Sequence, residues 1–437
     1  MSESWPENQI TLDDVCHFIV DSEHKTAPMQ DVGFPMIRTP NIGPGYFIMD
    51  GVRRVSEETY RGWTRRGRPQ AGDLILAREA PVGNVAMVKP GMIVCLGQRT
   101  VLIRPNSLVV EPAYLTYLLL GDEAQGHFSS VANGATIHHL NLKDLRSMVL
   151  PVLPDLVTQR KIAGVLSAYD DLIENNTRRI VLLEEMARAL YREWFMEFRF
   201  PGHVTAEFVE DEQGRRPRVW EQIPFTLVAS VLSGGTPKTG EARYWDGGIP
   251  FYTPKDSPDG FYVIDTEKTL TGLGLEKCNS QLYPKDTVFI TARGTVGKLA
   301  LASEDMAMNQ SCYALVGRRG IPQHYLFLLT QVLVGGFKQQ ANGAVFDAIT
   351  VASFDNTKVF RPSDELLASF STAVGPLFAA SLSLTQRNAN LRRTRDLLLP
   401  RLISGELDVS DLDIRLCGSA INSSYVAEDD QFEQATA

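Results

Sequence analysis

The side chains with the most chemistry to offer in this 437-residue chain are arginines. Arg53, Arg54, Arg61, Arg65, Arg66 and Arg68 are interleaved with Tyr60 and Trp63. A guanidinium fork fits phosphate oxygens and the O6/N7 edge of guanine. The same run could also be a solvated basic loop. Other strings fall short of catalysis. Gly294-Thr295-Val296-Gly297-Lys298-Leu299 lacks the four-residue gap between glycines and the Ser or Thr after the lysine that a phosphate loop needs. A strand-to-turn connection displaying Arg293 and Lys298 is expected there instead. His138 and His139 have no companion ligands at metal-binding spacing and read as loop histidines. No G-x-S-x-G or Ser-x-x-Lys nucleophile motif occurs, and no paired carboxylates stand out. The Asn-Pro-Pro-Tyr or Asp-Pro-Pro-Tyr grip of amino-methyltransferases is absent too. The residue types point to binding.

The elements that must carry these residues occur twice. Ile75–Gly83 (ILAREAPVG) reads like Phe289–Gly297 (FITARGTVG), and Ala132–Ala135 (ANGA) returns as Ala341–Ala344 (ANGA). Gln98 matches Gln310, and Tyr114-Leu115 matches Tyr325-Leu326. The offset stays near 210 residues, too long for a solenoid. One domain has been duplicated, and two diverged copies without catalytic residues imply two different things read with one tool.

Composition is that of an ordinary globular protein, 44% hydrophobic and 22% charged, with length for two or three domains. No stretch reads as apolar enough to span a bilayer. Met1–Asp14 is polar and acidic, unlike a signal peptide. The five cysteines are scattered, which suits a reducing cytoplasm and argues against disulfides or a zinc site. The net charge of −9 looks wrong for a nucleic-acid binder. However, residues 403–437 hold eight acids and one base, whereas residues 52–104 hold ten Lys/Arg against four Asp/Glu. Local charge decides whether phosphates are attracted.

Residues up to about 155 are strand-rich and punctuated by turns, with a helix expected from Pro112 to Gly121. Apolar residues from Ile162 to Trp194 then recur at steps of three and four, predicting a helix over 159–195 of about 55 Å. Glu210–Pro217 reads as a hairpin or solvated linker. A second long pattern runs from Leu366 to Leu398, where Pro376 and Pro400 should kink or break it. The two apolar stripes should bury against each other as an antiparallel pair. The fold class is therefore mixed α/β, with two pseudo-repeated domains separated by two long antiparallel helices. The expected bounds are 1–157 and 223–363 for the domains, 158–200 and 364–405 for the helices, 201–222 for a linker, and 406–437 for an acidic, disordered tail.

Several strings then match a known family. Gly235-Thr236-Pro237, Tyr244–Phe251 (YWDGGIPF), Lys255-Asp256, Thr291–Gly297 and Met308–Cys312 resemble a target recognition domain of type I restriction-modification specificity subunits. Leu183–Phe195 followed by Phe200-Pro201-Gly202 resembles that family's central helical region, and Leu398–Leu407 its C-terminal signature. The first copy departs from the pattern: Phe34–Ile42 is similar, but Glu79-Ala80-Pro81 stands where the second copy has Arg-Gly-Thr, so Arg78 is taken as the counterpart of Arg293. The resemblance implies a non-catalytic DNA-recognition subunit that selects a bipartite target. It binds no cofactor of its own. Two modification subunits would use S-adenosylmethionine to methylate adenine, and a restriction subunit would use ATP and Mg. The long helices would space the half-sites and dock the partners through Leu183, Met186, Leu190 and Trp194, and through Leu391 and Leu398. Base edges would be read by Arg38, Thr39, Asn41, Arg78 and Arg99 in the first copy, and by Lys255, Arg293, Thr295, Lys298 and Gln310 in the second. Arg53, Arg54, Arg65 and Arg66 would grip phosphates. Divergence between copies predicts an asymmetric target. The rival readings are a self-sufficient methyltransferase, for which length and tetrapeptide are missing, and a DNA-binding or scaffolding subunit of another assembly.

Overall fold

Four strands carry the first domain and the same four, with one more, carry the second. In a computed structural model, which describes residues 9–132, 139–211, 214–340 and 348–414, the first sheet runs Cys16–Asp21, Thr100–Pro105, Leu74–Ala77, Val85–Met87, all antiparallel. The second runs Ala229–Ser233, Cys312–Gly317, Val288–Thr291, Leu299–Ala302, with Tyr262–Val263 added in parallel at the edge. A short parallel pairing repeats as well: Met36 opposes Cys95 and Ile37 opposes Leu96, as Phe251 opposes Ala307 and Tyr252 opposes Met308. The duplication read from the turns is thus a duplication of sheet order and register. The ANGA segments and His138 lie outside the described residues, apart from Ala132.

The central strands are apolar throughout because both faces are covered. Leu74 and Leu76 enter one core, whereas Ile75 and Ala77 enter another. Val288 and Ile290 separate from Phe289 in the same way. Successive side chains on a strand point to opposite faces, so an unbroken apolar run marks a strand packed on both sides. The expected helix forms as Pro112–Leu120, with Pro112 in its first turn, and Phe208–Asp211 pairs with Gly214–Pro217 as the expected hairpin.

Burial also silences most of the thiols. It pushes the thiols of Cys95 and Cys312 up to about 12, and that of Cys16, with Asp13 adding to the effect, to the same value. Thiolate is the reactive form. Iodoacetamide at pH 8 should therefore modify half-buried Cys278 and spare Cys16, Cys95 and Cys312. Fast modification of Cys312 in the folded chain, read by peptide mass mapping, would contradict that burial.

Two helices dominate the rest. The central helix spans Leu156–Tyr191 and continues as a π-turn over Arg192–Met196. The C-terminal helix spans Asp364–Ile403 without interruption. The break expected at Pro376 does not occur. A proline inside a helix removes one backbone bond and costs about 3 kcal/mol, but Phe370, Val374 and Phe378 on either side are fully buried and the segment stays helical through it. Pro400 likewise lies within the helix. An 18-residue window of this helix has mean hydropathy 1.5, long and apolar enough by composition to cross a membrane. This departs from the expectation that no stretch is apolar enough to span a bilayer. Its Leu367, Phe370, Val374, Phe378 and Leu382 belong to a protein core.

The chain divides into two units, Met1–Leu172 with Arg392–Ala437, and Ile173–Leu391, so that both long helices contribute to each. In the first unit Lys161 bonds Ser410, and Asp170 bonds Arg395 and the Tyr117 hydroxyl. In the second, Asn176 donates to Asn388 at 2.9 Å, and Ser381 donates to Glu184 at 3.2 Å. Within the second unit, rising numbers on the central helix meet falling numbers on the C-terminal helix, which is antiparallel pairing. The pairing is apolar as well: Phe195 and Trp194 contact Phe370 at ring separations of 4.8 and 5.5 Å. The expected tail is partly folded. Val409 is buried in the first unit's core with Leu407 and Ile414 against it, and residues 415–437 lie outside the described residues.

Candidate nucleic-acid interface

In each domain three loops meet at one end of the sheet. In the first domain they are Arg38–Asn41, the turn from Arg78 to Asn84, and Gly97–Arg99. The Gly97 N–H donates to Ile37 O at 2.7 Å, and the Arg78 N–H to Arg99 O at 2.9 Å. A Cβ on Gly97 would lie 2.6 Å from Ile37 O, so the approach requires glycine. In the second domain the Asn309 N–H donates to Tyr252 O at 3.0 Å, and the Ala292 N–H to Ser311 O at 2.8 Å. Capping interactions shape the remaining loop of each set: the Arg38 N–H donates to Asn41 Oδ1, and the Thr253 N–H to Asp256 Oδ2.

The repeated backbone bonds correct the expected equivalence. Leu140 donates to Arg78 O as Ile349 donates to Ala292 O, both at 3.0 Å. Arg78 therefore corresponds to Ala292, Glu79 to Arg293, Arg99 to Ser311 and His139 to Ala348. An acid in the first copy stands where the second has an arginine.

Two expected base readers are committed inside the fold. Arg78 is 6% exposed; its Nε donates to Leu140 O and its NH2 group to His139 Nε2, both at 2.8 Å, and Asp21 lies 3.7 Å away. Asn41 is buried and gives its amide N–H to Ile48 O at 3.1 Å. Neither side chain is presented for base contact, because each holds its own loop together. Arg38 and Thr39 are half-buried at the rim. Arg99 is exposed, with a positive φ of 68°, and pairs with Glu79 at 2.7 Å.

The second domain presents more. Arg293, Thr295 and Lys298 are exposed on one turn, with no described acid paired to either cation. Gly294 and Gly297 supply that turn's positive φ values. Lys298 lies on the side that lines a groove with Arg188, Arg192 and Asp259. Gln310 is exposed and accepts from the Thr236 hydroxyl. Lys255 is exposed, with Glu267 at 3.7 Å.

The basic stretch adjoins the first loop set through Asp21, which bonds Arg66 at 2.6 Å. Burial raises the Asp21 pKa, but His24, Arg66 and Arg78 outweigh it and hold the carboxyl below its usual range. Much of the local positive charge is spent in this way: Arg61 pairs with Glu57, Arg65 lies 3.8 Å from Glu23, and Arg104 pairs with Asp73. Arg54 donates to Gly33 O. Arg53 is exposed without a described acid. Among the described residues no group of His, Cys, Asp and Glu could hold a metal. Sequence reasoning missed the roles of Glu79, Asp21 and His139; the signal was the repeat itself, which changes sign at position 79 against 293.

The expected docking residues divide similarly. Met186 is exposed, and Leu183 and Leu391 are half-buried. Leu190 packs against the core of its unit and Leu398 against that of the other. Trp194 is a core residue, 8% exposed and against Phe370, and cannot also be a docking knob. The apolar side chains that do face outward include Val181, Leu182 and Met186.

The description that matches this repeated arrangement is that of a type I restriction modification DNA specificity domain, found twice, over residues 7–185 and 217–365. The chain belongs to the type I specificity family. It is similar to the MjaIX specificity subunit of Methanocaldococcus jannaschii, 27% identical over 84% of each chain. The HindI specificity subunit of Haemophilus influenzae is 24% identical over 70% of this chain and 79% of that one. A crystal structure of the specificity subunit of a type I system from M. genitalium shares the fold, with a TM-score of 0.59 at 15% identity over 90% of this chain and 95% of that one. These relatives are named as specificity subunits, the recognition components of type I systems, so the chain is a non-catalytic specificity subunit with two recognition domains.

Proposed function

We propose that this specificity subunit reads an asymmetric bipartite sequence in double-stranded DNA, one half-site per domain. The observation that carries this reading is the pair of equivalent loop sets bearing different side chains: Glu79, Arg99 and His139 in one, Arg293, Ser311 and Ala348 in the other. Backbone-equivalent positions with opposite charge select different base pairs, because each base pair shows a distinct donor and acceptor pattern in the major groove. Phosphate contacts from Arg53 and Lys298 fix register, and base-edge contacts specify. The long helices set the gap between half-sites and, through exposed Val181, Leu182 and Met186, dock two modification subunits. Those subunits supply S-adenosylmethionine and the adenine chemistry. A restriction subunit adds ATP- and Mg-dependent cleavage, and this chain binds no cofactor. The assembly works in the cytoplasm.

Co-expression with a type I modification subunit from the same host, followed by sequencing of methylated adenines, tests the reading. The expected result is a single motif of two different half-sites at a fixed gap. Methylation at an uninterrupted or palindromic motif would refute it.

A further inference from the structure

The first recognition domain contains a chain of polar contacts that its duplicate lacks. It begins in the interior at Arg78, whose NH2 group donates to His139 Nε2 at 2.8 Å. A guanidinium cannot accept a hydrogen bond, so Nε2 is the acceptor and the imidazole proton sits on Nδ1. That nitrogen donates to Glu79 Oε1 at 2.8 Å. The other oxygen of Glu79 lies 2.7 Å from Arg99 NH1. Glu79 is largely covered, with a side chain 12% exposed, whereas that of Arg99 is half exposed. The contacts thus run from the core to the surface and end on a cation at the loop cluster. In the second domain the four positions are Ala292, Ala348, Arg293 and Ser311, and the chain of contacts is gone.

We propose that Glu79 and His139 are positioning residues that aim Arg99 at a guanine of the first half-site. This inference rests on reading the chain as a DNA specificity subunit. A free arginine side chain loses rotamer entropy when it is fixed. The Glu79 carboxylate, 2.7 Å from Arg99 NH1 as an ion pair, meets part of that loss before DNA arrives. The remaining N–H donors stay available for a bidentate contact with O6 and N7. His139 keeps the carboxylate from rotating, and Arg78, anchored on Leu140 O, keeps the imidazole in place. The pairing also neutralises Glu79, which alone would repel the duplex.

The test is selection of binding sites from randomised duplex DNA by the full chain co-purified with its modification subunits. Arg99→Ala should lower guanine preference at one position of one half-site at least tenfold. Glu79→Ala and His139→Ala should lower it threefold or more at that same position and leave the other half-site unchanged. Relaxation at a different position for Glu79→Ala would mean that the carboxylate reads its own base, and would overturn the proposal. An unchanged motif in the Glu79 and His139 variants would overturn it too. Should Glu79→Ala not fold, Glu79→Gln, which removes the charge and little else, decides by the same criteria. A wild-type chain that selects no bipartite sequence would instead overturn the specificity reading itself.

Discussion

Arg293→Ala should leave the protein folded and relax one base pair of its target. The side chain is exposed, sits on the turn between a fully buried strand and a largely buried one, and has no described acid to release when it is removed. A bidentate arginine–guanine contact is worth about 1–3 kcal/mol of discrimination, or roughly 5- to 150-fold in preference at that position. Melting temperature should stay within a degree or two, since surface substitutions of this kind rarely exceed about 0.5 kcal/mol. Arg78→Ala should do the opposite. It strips donors from Leu140 O and His139, and leaving buried partners unmet costs about 1–3 kcal/mol. The first domain should lose stability while the bases specified by the second remain unchanged. Mapping methylated sites for both variants beside their thermal unfolding curves separates the two arginines. A stable Arg78→Ala chain that loses preference at a position other than the one read by Arg99 would reverse the assignment.

The largest loss of stability should come from Phe370→Ala. Phe370 is fully buried and touches Tyr191, Trp194, Phe195 and Tyr325 at ring separations of 6.2, 5.5, 4.8 and 6.3 Å. It joins the C-terminal helix to the end of the central helix and to the helix beside the second sheet. Truncation of a phenylalanine in a packed core costs about 3–5 kcal/mol. For a unit of this size that is roughly 6–20 °C of melting temperature. Calorimetry should show the transition of the second unit moving down; a shift of less than about 2 °C would mean that the aromatic seam contributes little.

Much of this was legible from the residues alone, for identifiable reasons. The repeats show at their turns because turn geometry restricts residue type: Val-Gly exits recur since Gly83 and Gly297 both adopt positive φ. The long helices show because an apolar stripe at steps of three and four persists over many turns. Other features depend on tertiary packing that a local reading does not contain. Pro376 looks like a break, but buried neighbours on both sides outweigh its cost. Val409 sits among acids and looks like tail, yet with Leu407 and Ile414 it docks the segment on the first unit's core. Arg78 and Arg293 match by residue type but lie one backbone position out of register, as the aligned segments show and the repeated hydrogen bonds establish. The formal charge of the basic run at Arg53–Arg68 overstates what is free, because Asp21, Glu23 and Glu57 pair with Arg66, Arg65 and Arg61 at the surface.

The amide pair of Asn176 and Asn388 has a mechanical consequence. Both residues are buried, and Asn388 also donates to Ile173 O and the Thr177 hydroxyl. Sliding one helix past the other by a turn would strand these amides in hydrocarbon, at about 1–3 kcal/mol for each unmet group. The pair therefore seats like a key in one notch, much as a single buried asparagine fixes alignment in coiled coils. Reach along such a strut is a stepwise quantity, altered by whole turns added to both strands and not by gradual slippage.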